Sequence, residues 1–165
     1  MKFLETVLPY FQGEKLEALI FILPIGLLCM VFGGWLLSEG QPGFSRGVAL
    51  PFIAMGLAIS IIGGTVGFRT PSQVAEIQQA YATNQTEAIE GERARMEKVN
   101  KAWRWYLALW IVFIFVGFGL RLLTQSDFLR GLGIALVFFA GVGLMIDGFA
   151  DRRARNYTNV INAIT

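Results

Sequence analysis

Four apolar stretches, roughly residues 16–37, 47–68, 103–123 and 128–149, are each long enough to cross a bilayer. About 20 helical residues span the ~30 Å hydrocarbon layer. Within lipid, a helix is the element that satisfies its backbone hydrogen bonds inside a single segment. The expected fold class is therefore all-α: an integral membrane four-helix bundle. A mean hydropathy of +0.55, with 55% of the 165 residues hydrophobic, agrees with that class.

The stretches come in pairs. Phe44-Ser45-Arg46-Gly47 and Phe128-Leu129-Arg130-Gly131 each close a short polar connection between two apolar runs. Just upstream, Leu36-Leu37-Ser38 answers Leu122-Leu123-Thr124. The chain reads as a tandem repeat: a hairpin over about 14–68, a charged segment over 69–102, a second hairpin over about 103–149 and a tail helix over 150–165. Two hairpins of the same orientation are related by an axis along the membrane normal, whereas inverted repeats need an in-plane axis.

Charge sets the expected orientation. Lys2 and Lys15 precede the first span, six cations from Arg69 to Arg104 separate the hairpins, and Arg152, Arg153 and Arg155 follow the last span. Only Arg46, Arg121 and Arg130 fall on the other side. Under the positive-inside rule this bias places both termini and the middle segment in the cytoplasm. A net charge of +2 gives no support for a nucleic-acid partner, and the expected surroundings are membrane lipids. The first span is too long for a cleavable signal and lacks a small-x-small cleavage pattern. Cys29, between Leu28 and Met30, reads as a buried free thiol rather than a lipidation site.

Phe3, Leu4, Val7, Leu8 and Phe11 recur at helical spacing, which predicts an amphipathic helix lying in the membrane interface and broken from the first span at Gly13. Pro24 predicts a kink. Gly56, Ser60, Gly63 and Gly67 form a small-residue stripe, read as a helix-packing face because small side chains let backbones approach in lipid. Thr70-Pro71-Ser72 has the form of a helix start, and residues 82–86 read as a turn. From Glu87 the pattern is one long helix, with Ile89, Met96, Val99, Trp103 and Tyr106 on a single face. Stripes at Val74, Met96 and Tyr157 can bury one another in a cytoplasmic layer.

The chain has no histidine and one cysteine, which removes the commonest general base and metal ligand. No catalytic set, metal site or cofactor site is expected, and the chain reads as a non-enzyme. No carboxylate sits at mid-span, as a small four-helix multidrug exporter would require. Asp147-Gly148-Phe149-Ala150-Asp151-Arg152 resembles part of the metal-binding signature of CDP-alcohol phosphotransferases, but Leu144 stands where the first aspartate belongs. Asp147 lies about one turn inside its span and needs a partner; Arg69 and Arg104 are the expected members of a structural ion pair. Arg46 and Arg130 either reach headgroups or meet an anionic group or partner, and Tyr157 and Ile161 are candidates for a partner-facing surface.

Taken together, Phe-x-Arg-Gly, Arg69-Thr70-Pro71-Ser72-Gln73, Glu92-x-x-x-Met96-x-x-Val99 and Asp147-x-x-Ala150-x-x-Arg153 resemble a family of small bacterial four-span proteins, mostly of unknown function. Some small multi-span proteins of this kind protect bacteria from membrane-targeting toxins, including type VI secretion effectors. The resemblance implies an inner-membrane immunity protein with a toxin as partner. The other class the sequence allows is a small ion channel or transporter subunit.

Overall fold

The computed structural model describes residues 2–39 and 43–164. Its helices are α1 (Lys2–Glu17), a π-helical turn (Ala18–Ile22), α2 (Leu23–Ser38), α3 (Phe44–Thr83), α4 (Gln85–Leu123) and α5 (Asp127–Asn162). The backbone stays right-handed helical from α1 through the π turn into α2, so the described chain forms four rods. All four are long and apolar enough to cross a membrane. The protein is an all-α, multi-pass integral membrane bundle. Part of the first connecting loop (residues 40–42) and Thr165 of the tail lie outside the described residues.

The expected breaks at Gly13 and Pro71 do not occur. Proline at position 24 lacks an N–H and would crowd the carbonyl one turn earlier in an α-register. The chain widens instead to a π turn, with Leu23 N–H donating to the Ala18 carbonyl. At Pro71 the helix runs straight on, because packing holds both sides of the missing bond. Gly67 lies against Leu19, and buried Thr70 donates its hydroxyl to the Val66 carbonyl at 2.6 Å. The turn expected at 82–86 contracts to Asn84, whose side chain caps α4 by accepting from Glu87 N–H at 3.3 Å.

α3 and α5 form the centre, with α2 packed on α3 and α4 on α5. Within the membrane stretch the buried residues are mostly small, among them Gly26, Cys29, Gly33, Ala49, Gly56, Gly117, Gly133, Ala135 and Ala140. This is the pattern expected where association rests on close backbone approach rather than on a hydrophobic drive. A β-carbon on Gly56 would lie 2.7 Å from the Gly26 carbonyl oxygen, and one on Gly63 the same distance from Leu23 N. A β-carbon on Gly26 would overlap the Ser60 hydroxyl, and one on Gly67 the Leu19 side chain. The Gly56, Ser60, Gly63, Gly67 stripe is thus the face on which the first rod packs.

Beyond the membrane stretch the four rods continue together at the end that carries both termini. There Phe3, Val7, Tyr10, Phe11, Met96, Ala154, Tyr157 and Ile161 form one buried core, flanked by Val74, Ile77, Tyr81 and Ile89. The Val74, Met96 and Tyr157 stripes do bury one another. The apolar face of the N-terminal helix is covered by protein and not left for lipid: Phe3, Val7 and Phe11 are at most 1% exposed, and Phe3 stacks on Tyr81 at 5.0 Å. Its apolar face finds three helices to cover it, and each such large side chain gains about 1.5–3 kcal/mol from full burial.

Candidate functional site

The repeated Phe-x-Arg-Gly motif sits where α3 meets α5. A β-carbon on Gly47 would overlap the Phe128 carbonyl oxygen, and one on Gly131 would overlap the Phe44 carbonyl oxygen. The next neighbours are also reciprocal: Leu132 N at 3.0 Å from the first position, Val48 N at 3.1 Å from the second. Reciprocal contact of equivalent residues is the mark of a two-fold relation. The hairpins repeat it internally. Gly33 faces the Ala49 carbonyl and Ile53 N, while Gly117 faces the Gly133 carbonyl and Val137 N. Gly33 therefore answers Gly117, which sets Leu36 against Leu120 rather than against Leu122.

The glycine explains why the motif occurs twice; its arginines have diverged. Arg130 closes its own loop, donating to the Thr124 carbonyl at 3.0 Å and to Gln125 Oε1 at 3.1 Å, with Asp127 at 3.7 Å. Arg46 is exposed and makes no hydrogen bond or ion pair among the described residues.

Asp147 has a different partner from the one expected. Neither Arg69 nor Arg104 pairs with it; its Oδ2 accepts from the Trp110 indole N–H at 2.6 Å. Arg69 is exposed, and Arg104 lines a cavity of about 140 Å³ together with Asp147 without closing on it. The repeat accounts for the switch. In the first hairpin the equivalent positions are Gly26, packed on the backbone of Gly56 and Ser60, and Gly63, packed on the backbone at Leu23. In the second, the Trp110 ring lies over Gly143 and brings an N–H donor that needs a nearby acceptor. Trp110→Phe strands the carboxylate and is expected to cost about 1–3 kcal/mol. Asp147→Asn, which can still accept, should cost less. Chemical unfolding in detergent measures both, and a smaller loss for the phenylalanine variant would remove the bond from the account.

The densest polar cluster lies in the extramembrane core. Glu92 is 4% exposed and accepts from Arg95 through both oxygens, each at 2.7 Å, and from the Tyr157 hydroxyl at 2.7 Å. Tyr157 stacks on Tyr10 at 4.0 Å, and Tyr10 donates to Glu14 at 2.7 Å. The Arg95 guanidinium lies 5.1 Å over the Phe11 ring. Arg153 pairs with Glu17 at 2.5 Å beside the same tyrosine. Burial, followed by the neighbouring carboxylates, raises both tyrosines above their ordinary range. Burial would lower Arg95, but its bonds to Glu92 hold it higher. Both tyrosines are thereby kept as neutral donors. Arg93 completes the layer by donating to the Ile161 and Ile164 carbonyls at the end of α5.

Tyr157 and Ile161, expected as partner-facing, are buried in this core at 4% and 0% exposure. Glu92 was within reach of sequence reasoning, because it falls on the Ile89, Met96, Val99 face where an acid must find a partner. The class that fold and site define is a pseudo-symmetric four-span bundle with a charged extramembrane layer. No protein family, characterised protein or solved structure matches the chain.

Proposed function

We propose that the chain is a non-enzymatic interaction protein of a bacterial inner membrane, most concretely an immunity protein that binds and blocks a membrane-targeting toxin. The observation that carries this reading is the closure of the bundle axis. α3 and α5 meet backbone to backbone at Gly47 and Gly131, in their first turns, which closes the space between the two central helices at that end of the bundle. Two cavities between the spans, of about 160 and 450 Å³, are lined almost wholly by apolar side chains, and the polar one of about 140 Å³ beside Arg104 and Asp147 lies at the end of α4 and α5 that joins the charged layer. Surfaces available to a second molecule therefore face outward. α4 is the most open of them, with Leu109, Val112, Phe115 and Val116 exposed along its membrane stretch and Gly119 beside open space.

The charge bias puts both termini and the helical layer in the cytoplasm, and a reporter active only outside should respond at Gln125 and stay silent at Thr86. Co-expression with a membrane-depolarising effector encoded beside this chain is expected to preserve the membrane potential, with the two proteins co-purifying in detergent. Ion conduction by the purified protein in liposomes, without any such rescue, would replace this reading with that of a channel or transporter subunit.

A further inference from the structure

α3 and α4 are joined through Asn84 alone. Most of their large apolar residues turn into the core shared with α1 and α5, and Ile77 reaches both that core and the opposite side. On the opposite side a groove of about 660 Å³ opens between the two helices, where Ala80, Ala88 and Gly91 leave room between longer polar side chains. Its floor includes Ile77, Ala80, Ala88 and Gly91, with nothing within 4 Å of a β-carbon built on Gly91. Glu76 and Glu87 stand exposed on its two walls. Among the described residues the one cation in the lining, Arg95, is already held through both oxygens of Glu92.

We propose that this groove docks a basic amphipathic helix from a cytoplasmic segment of a partner protein. Residues 69–83 carry the groove about 20 Å beyond the membrane stretch, so bilayer lipid does not reach its tip. A trough between two helices suits a third helix, whose apolar residues at i, i+3, i+4 and i+7 enter the floor. Two wall carboxylates, in a lining that offers no unpaired cation among the described residues, select lysine and arginine at the flanks of that helix. Segments that emerge on the cytoplasmic side of membrane proteins are enriched in those residues. The existence of a partner and the cytoplasmic placement rest on the function proposed above; the groove adds where that partner is held and by what chemistry.

The test uses the full chain in phosphatidylcholine nanodiscs, titrated with a fluorescent helical peptide of leucine and lysine in amphipathic order, with empty nanodiscs subtracted. A leucine–glutamate peptide of the same pattern serves as the second probe. The lysine peptide is expected to bind at least about tenfold more tightly than the glutamate one. Gly91→Leu fills the groove where space is open, so the bundle stays folded, as its melting temperature verifies. That variant, and the double reversal E76K/E87K, should each weaken binding by about tenfold or more. Absence of lysine-peptide binding, binding unchanged in both variants, or a homodimer that Gly91→Leu dissolves would each overturn the groove as a partner site. The two readings fail separately. Peptide binding without rescue from any effector sinks the toxin reading and keeps the groove. Rescue with no peptide binding, undiminished by Gly91→Leu, sinks the groove and keeps the toxin reading.

Discussion

Leucine in place of Gly47 or Gly131 is expected to abolish the folded bundle. Each position faces a main-chain carbonyl of the opposing helix, and a β-carbon at either one would overlap that oxygen. Backbone cannot step aside as the end of a flexible side chain can. The two central helices would have to separate, and the contact on the reciprocal side of the axis would open with them. Overpacking in a core costs about 1–3 kcal/mol and more where the obstacle is rigid, a large fraction of the margin by which proteins are stable. Leucine at Gly56 or Gly63 should be the next most damaging, since their β-carbons would lie 2.7 Å from backbone atoms. Gly141→Leu, with open space around it, and Leu57→Ala, at an exposed site, supply the controls. Fluorescence-detected size exclusion after detergent extraction reads the outcome: no monodisperse peak for the first pair, reduced recovery for the second, and little change in the controls. Equal recovery across all of them would refute backbone packing at the axis.

These glycines also mark how far the sequence was readable. Span length and apolar runs are one-dimensional properties, so the four rods and their pairing could be read directly. The role of Phe-x-Arg-Gly could not, because arginine is its chemically distinctive residue while the close approach belongs to glycine. Pro71 looked like a helix start because proline suits a first turn as well as an interior one whose missing bond is tolerated. The choice depends on Leu19 and Gly67 meeting across the bundle. Phe3, Val7 and Phe11 showed an amphipathic face but not what covers it, and a protein layer satisfies that face as well as a lipid surface does. The partner of Asp147 was hidden for a different reason. Its depth suggested a cation, whereas the aligned pair Gly26–Gly63 and Trp110–Asp147 held the clue that ring and acid were exchanged together.

Glu92 is the residue on which the extramembrane layer most depends, and removing its carboxylate or its cation should show it. With Arg95→Ala, a carboxylate that is 4% exposed keeps only the Tyr157 hydroxyl, and the loss is expected at about 3 kcal/mol or more. Glu92→Ala should cost less, about 2 kcal/mol. Arg95 is 29% exposed and can turn toward water, so its desolvation is only partly uncompensated. The double variant removes both charges together and should lose at least about 1 kcal/mol less than the sum of the singles. Strictly additive losses would show that the pair is geometric only. The tyrosines supply an independent readout. Both are held above the ordinary value of 10.0, so the unfolded chain releases their protons first as pH rises. Their contribution is complete below about pH 10 and falls above it, by about 1.4 kcal/mol per pH unit for each tyrosine until its folded-state value is reached. Tyr157→Phe should flatten that alkaline decline while lowering stability at neutral pH, because Glu92 loses a donor. An unchanged alkaline slope in Tyr157→Phe would mean that the hydroxyl ionises in the folded layer, and that the Glu92 network is looser than its 2.7 Å contacts describe.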